Sequence, residues 1–169
     1  MALHLVRVPW LDPRAIQLRN AMDDEMGVLY ADLTAGATDD ENERVARALA
    51  VDDGDILTSI LVLDGDGERV VGHTALRPYG DALEVKKVFV TPEYRGRGLS
   101  KLLMAEAETI ARAEGVTSLV LQTGNRQPEA IALYLAVGYR EIPVFPPYDV
   151  MDISVCFGKD LIQSTPLVE

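Results

Sequence analysis

The chain has 169 residues, 48% hydrophobic and 25% charged, and a net charge of −11 from 16 Lys and Arg against 27 Asp and Glu. That describes one globular domain over residues 1–169 with a full core, and it excludes disorder as the main state and fibrous repeats, since the 13 Gly and 9 Pro follow no period. The acidity argues against nucleic acid as a partner, because phosphates would be repelled.

Leu3, Leu5 and Val6–Val8 predict a first strand. Asp12-Pro13 reads as an N-cap followed by proline at the first helical position, and Ile16, Leu18, Met22, Met26 and Leu29 carry a helix through about Tyr30. A second helix is expected from Asp40, with Glu43 completing a capping box, to the Asp52-Asp53-Gly54 break. Asp55–Leu63 and Arg69–Leu76 read as a hairpin about Gly65-Asp66-Gly67. Ala82–Val90 is a further strand after a Tyr79-Gly80-Asp81 turn. Gly98–Glu114 is helical in composition and closed by Gly115. Thr117–Gln122 is a strand, Pro128 opens a helix that Gly138 closes, and Tyr139–Val144 and Asp152–Phe157 complete the set. The order β α α β β β α β α β β is an α/β chain with a hairpin-rich centre.

A single cysteine, Cys156, beside His4 and His73 predicts neither a disulfide framework nor a metal centre. The longest uncharged stretches, Gly115–Asn125 and Ala130–Tyr139, are about half of a membrane span, and Arg7 interrupts the first apolar run. No membrane partner, no leader and a cytoplasmic location are therefore expected.

The charge is unevenly placed. Lys86, Lys87, Arg95, Arg97 and Lys101 face Glu93 alone within sixteen residues, a local +4, whereas residues 1–54 carry −6. The basic segment contains Val88-Phe89-Val90-Thr91-Pro92-Glu93-Tyr94-Arg95-Gly96-Arg97-Gly98-Leu99-Ser100: a strand, a glycine-rich loop and a helix start. Glycines let the backbone turn tightly, and the first amides of a helix have no intrahelical acceptor, so phosphate oxygens are natural partners there. Arg95, Arg97 and Lys101 add charge around them. An ordinary strand-to-helix turn also favours glycine, but it does not call for the arginines. Neither the P-loop spacing nor the dinucleotide fingerprint is present, since Leu99 stands where the P-loop lysine would be and Lys101 follows Ser100.

Arg95-x-x-Gly98-x-Ser100 resembles the acetyl-coenzyme A loop of the GNAT superfamily of N-acyltransferases, with serine at a position usually Gly or Ala. Downstream, Asn125, Ala130, Leu133-Tyr134 and Gly138-Tyr139 resemble a second segment of that family, so the likeness covers about residues 55–145. It implies an α/β (α+β) fold with a mixed, mostly antiparallel central sheet flanked by helices. It also implies a splayed strand pair that binds acetyl-CoA. Val88, Phe89 and Val90 then match the strand along which the pantetheine arm lies, Gly96, Gly98, Leu99, Ser100 and Lys101 with Arg95 and Arg97 the phosphate loop, and Asn125 a pantetheine contact. Tyr134 matches the residue that protonates departing coenzyme A, although a tyrosine at helical spacing also packs in a core. Glu84, eleven residues before Arg95, matches a strand carboxylate that takes the amine proton in some members; it is equally an ordinary strand glutamate paired with a lysine. Strict alternation places Glu84, Lys86, Val88 and Val90 on one face of the strand.

The expected activity is transfer of an acetyl group from acetyl-CoA to a primary amine of a small molecule or peptide. The alternative is a coenzyme A-binding module without turnover. Acidic residues of the N-terminal helices, among them Asp32, Asp39, Asp40, Glu41 and Glu43, predict a cationic acceptor if they face it. His73 on a central strand lines the acceptor site or is simply packed. Pro143–Tyr148, apolar and broken by prolines, suits either a homodimer contact or the pocket wall.

Overall fold

In the computed structural model, which describes residues 2–65, 67 and 69–162, β1 (Leu3–Val8) runs to Pro9 and Asp12 caps α1 (Pro13–Leu29). The Asp12 carboxylate accepts the Arg14 amide at 2.9 Å, and Pro13 sits where a missing N–H costs nothing. A short helix, α2 (Ala31–Gly36), follows at once. No apolar period announces it. The next helix, α3 (Asp39–Leu49), is capped by Thr38 and not by Asp40. Thr38 Oγ1 accepts the Glu41 amide at 3.2 Å while the Glu41 carboxylate takes the Thr38 amide at 2.7 Å. An Asp40–Glu43 box would set two carboxylates against each other; these residues pair with Arg44 and Arg47 instead.

The remaining elements are β2 (Thr58–Asp64), β3 (Arg69–Tyr79), β4 (Ala82–Val90), α4 (Leu99–Ala113), β5 (Ser118–Gly124), α5 (Pro128–Ala136), β6 (Arg140–Ile142) and β7 (Ser154–Asp160). They form one seven-stranded sheet in the order β1-β2-β3-β4-β5-β7-β6. Only β4 and β5 run parallel, joined by the α4 crossover. Of the expected Gly65-Asp66-Gly67 turn, Asp66 lies outside the described residues. β6 stops at Ile142 because Pro143 has no N–H to extend a ladder.

Neighbouring residues of β2 show how the layers are made. Ile60 and Val62 face the larger core with Leu103 and Met104 of α4 and Tyr134 of α5, whereas Leu61 and Leu63 face Ala15 and Leu18 of α1. A third cluster packs Ala48 of α3 on Tyr148 and Met151. Of Pro143–Tyr148, only Phe145 and Tyr148 turn inward: the Phe145 ring lies 4.8 Å from Tyr79 and 5.4 Å from Tyr148, and the Tyr79 hydroxyl donates to Pro146 O at 2.9 Å, whereas Pro143, Val144, Pro146 and Pro147 are exposed. Cys156 is buried, and burial pushes its thiol up. Among the described residues no helix is long and apolar enough to cross a membrane.

Candidate active site

The alternation expected along β4 breaks at Lys87, whose φ of 56° lies in the left-handed region. Pairing with β3 slips there by one residue, from His73↔Phe89 to Ala75↔Lys86. Val88 and Val90 therefore join Leu83 and Val85 in the larger core, and Phe89 packs with α1, so Val88 and Val90 do not share a face with Glu84 and Lys86. Two side chains of β3 hold the bulge. Thr74 Oγ1 donates to Lys86 O at 3.0 Å, and His73 Nδ1 lies 2.8 Å from Lys87 O. A carbonyl can only accept, so Nδ1 carries the hydrogen and Nε2 accepts from Arg19 Nη1 at 3.4 Å. Burial lowers His73 to about 4, which keeps the ring neutral. Arg19 in turn lies over the Trp10 ring, 3.4 Å from its centroid. His73 thus shapes the strand and lines neither cleft described below.

β4 and β5 pair only through Leu83↔Leu119, Glu84↔Val120 and Val85↔Leu121, and beyond these the strands part. Into the gap opens a cleft of about 1000 Å³ between β4, α1, the start of α5 and the loop before α4. At the loop end Gly96 and Gly98 have φ of 75° and 81°. A Cβ at either would meet nothing within 4 Å, so the dihedral and not space calls for glycine. Among the described residues no side chain caps α4, and the amides of Leu99, Ser100 and Lys101 precede its first intrahelical bond, from Leu102 N to Gly98 O at 3.1 Å. An uncapped helix N-terminus beside an open strand edge fits a ligand with phosphates at one end and an extended amide-bearing arm at the other.

Val88, Phe89, Val90, Arg95, Gly96, Gly98, Leu99, Ser100 and Lys101 all line this cleft, and Tyr134 does so from α5. Arg95 is already committed: its Nε donates to Val90 O at 3.0 Å and its Nη2 meets Glu25 of α1 at 2.7 Å. Arg97 stands outside the lining with its guanidinium 4.8 Å from the Tyr94 ring centroid. Asn125 is exposed and also outside; its amide donates to Ile153 O at 2.9 Å, and the next two residues, Arg126 and Gln127, line the cleft in its place. Arg126 pairs with Asp32 at 2.7 Å, which ties the loop after β5 to α2. Sequence reasoning missed Met22, Met26, Arg126 and Gln127 as wall residues. The positive charge of Arg126 next to Asn125 was the available signal for it, whereas Met22 and Met26 read only as the apolar face of α1.

A second cleft, about 360 Å³, shares Met22, Met26, Val88, Gln127, Ala130 and Tyr134 with the first and continues toward α3. Tyr134 is therefore the hinge of the two. Burial alone pushes its phenol above the ordinary tyrosine range, and among the described residues no hydrogen bond engages the hydroxyl. Glu84, the expected base, reaches neither cleft. It is 0% exposed and accepts from Arg77 Nε at 2.7 Å, from the Tyr148 hydroxyl, and faces Lys86 Nζ at 3.4 Å. Lys86 lines the second cleft instead, and burial lowers it to about 8 against the opposing pull of Glu84. Of the acids expected to attract a cation, Asp32 binds Arg126, Glu41 caps α3, Asp40 and Glu43 pair along it, and Asp39, like these four, lines neither cleft.

Comparison with known proteins agrees with this geometry. The model of the acetyltransferase (GNAT) family matches residues 17–139. An IAA acetyltransferase of Azospirillum brasilense is 37% identical over 90 residues, 53% of this chain and 59% of its own length. N-acetyltransferase 8F1 of Rattus norvegicus is 33% identical over 111 residues, 59% of this chain and 50% of its own length. The chain thus spans only half to three-fifths of these curated relatives. A Klebsiella pneumoniae structure designated an acyl-CoA N-acyltransferase superposes with a TM-score of 0.75 at 27% identity, covering 95% of this chain and 98% of that one. The PaiA N-acetyltransferase of Thermoplasma acidophilum, solved with coenzyme A, shares the fold with a TM-score of 0.66 at 15% identity over 95% of this chain and 99% of that one. The chain belongs to the GNAT acetyltransferase family.

Proposed function

We propose that this family member transfers the acetyl group of acetyl-CoA to a primary amine. The single observation that carries the reading is the meeting of two clefts at Tyr134, whose hydroxyl has no hydrogen-bond partner among the described residues, with one cleft headed by an uncapped helix N-terminus. When bound, acetyl-CoA supplies an acetyl group activated as a thioester. The amides at the start of α4, with Arg95 and Lys101, hold its phosphates, and the open edge of β4 pairs with the pantetheine arm. Amides alternate along a strand, and the Thr91 amide points to Val71 O at 3.0 Å in β3. The Val90 amide therefore faces the cleft, where it can polarise the thioester carbonyl. Tyr134 keeps its proton at neutral pH and delivers it to the leaving sulfur as the C–S bond breaks, and the proton that the amine nitrogen sheds on forming the amide passes to solvent, from which the phenol is reprotonated. Glu84 is a positioning residue in this reading: it orients Lys86 and Tyr148 and does not touch the amine.

The test is thiol release from acetyl-CoA by the purified chain across a panel of primary amines, with acetyl-CoA affinity measured by calorimetry. Amine-dependent thiol release is expected. Tight acetyl-CoA binding with no release for any amine would remove the transferase reading in favour of a coenzyme A-binding module. Absence of acetyl-CoA binding would remove both.

A further inference from the structure

The second cleft has a charge that its own walls do not balance. Arg77, Glu84, Lys86 and Tyr148 form one buried cluster: Lys86 Nζ donates to the Tyr148 hydroxyl at 2.5 Å, Arg77 Nη2 donates to it at 3.0 Å, and that hydroxyl donates to Glu84. Burial and the adjacent Glu84 hold the Tyr148 phenol neutral. Two cations thus share one carboxylate, with side-chain exposures of 13% for Arg77, 7% for Lys86 and 0% for Glu84. An uncompensated charge this far from water is costly and calls for a counter-charge.

None of the described cleft walls supplies it. The carboxylate there, Asp23, is paired with Lys87 Nζ at 2.8 Å. Thr34, Gln122, Thr123 and Gln127 are neutral, and much of the rest is apolar, with Met22, Met26, Val45, Leu49, Met151 and Ile153. Lys86 lies on this wall, and at about 8 it retains its proton at pH 7.

We propose that the acceptor is an amine that also bears a carboxylate on an apolar body, that is, an amino acid with an apolar side chain whose carboxylate sits on Lys86. The inference rests on the acetyltransferase reading and narrows it. The carboxylate completes a two-plus, two-minus cluster at the floor, the side chain lies on the methionines and on Val45 and Leu49, and the amine is left toward Val88 and Tyr134. An acceptor that is only a cation would add a third positive charge to the same floor. This reverses the sign expected from the acidic N-terminal helices.

Three amines share one apolar body and differ at the carboxylate: L-leucine, L-leucinamide and 3-methylbutylamine, each assayed by thiol release from acetyl-CoA with kcat/KM taken per unprotonated amine. The kcat/KM for L-leucine should exceed the other two by about tenfold or more, the scale of one charge-assisted hydrogen bond. Lys86→Met keeps the apolar stem and should bring the three within about threefold, with acetyl-CoA affinity and circular dichroism unchanged. A measurement on the unaltered chain needs neither turnover nor variant: N-acetyl-L-leucine should bind more tightly than N-acetyl-L-leucinamide by calorimetry. Equal binding of that pair, or 3-methylbutylamine matching L-leucine, would overturn the carboxylate site while leaving acetyl transfer standing. Preference for the acid in binding with no thiol release from any amine would do the opposite.

Discussion

The two clefts meet at one tyrosine and are built by opposite means. The loop end of the larger is made of backbone: glycines in left-handed conformations, an uncapped helix start and a strand edge left open where β4 and β5 part. That end lies within fourteen consecutive residues, Val88–Lys101. The smaller is made of side chains drawn from α1, α2, α3, β4, β5, α5 and the segment before β7, and its unbalanced charge is that of Lys86, behind which Arg77 and Glu84 are buried. A backbone site recognises the invariant part of a reaction, whatever the side chains around it. A side-chain site can be changed one residue at a time, which suits the partner that differs between relatives.

The largest effect should fall on the smaller cleft. Glu84→Ala leaves Arg77 and Lys86 buried without their counter-ion, and breaking such a pair costs about 3–5 kcal/mol. Chemical denaturation should show that loss directly. A variant of normal stability with kcat alone reduced would restore Glu84 as the base and undo the contrast drawn here.

At the junction, Tyr134→Phe should lower kcat roughly 100-fold, the low end for a lost general acid, while acetyl-CoA affinity by calorimetry stays the same. An equal loss in affinity would mean that Tyr134 belongs to the larger cleft and does not serve both.

The pH dependence separates the regions further. Lys86 titrates below its ordinary value, at about 8, so its charge is present below that pH and lost above it. Glu84, Arg77, Tyr148 and Lys87 surround it; against burial, Glu84 holds Arg77 above its ordinary value, and burial pushes the Tyr148 phenol up, so neither of these two changes charge between pH 7 and 9. Affinity for N-acetyl-L-leucine should therefore fall by about tenfold from pH 7 to 9, whereas N-acetyl-L-leucinamide should bind independently of pH. The product analogue avoids titration of the acceptor amine itself.

The smallest effect sharpens the phosphate end. Arg95→Ala should weaken acetyl-CoA binding roughly tenfold, and Arg97→Ala by less than about threefold, because only the first lines the cleft. Equal losses would return Arg97 to the site.

The fold was legible wherever its signal was local. Asp12-Pro13 marks the start of α1, Ala82–Val90 carries its strand pattern within itself, and Gly138 closes α5 by its own left-handed φ of 92°. The loop from Arg95 to Lys101 belongs with these, since a left-handed glycine and an uncapped helix are properties of a few adjacent residues. Where a feature needed a distant partner, the chain alone did not disclose it. The bulge at Lys87 is held by His73 and Thr74 of the next strand, and it changes which side of the sheet Val88 and Val90 occupy. Asn125 sits one residue short of the cleft because its amide is taken by Ile153 of a remote segment. Sequence by itself determined the family, the mixed sheet and the glycine-rich loop before α4, because backbone conformation is written into short runs of residue type. Only the tertiary structure decided that Glu84 is a sealed counter-ion and that Lys86 lines the second cleft. Burial, which sets both their partners and their protonation, is a property of everything packed around them.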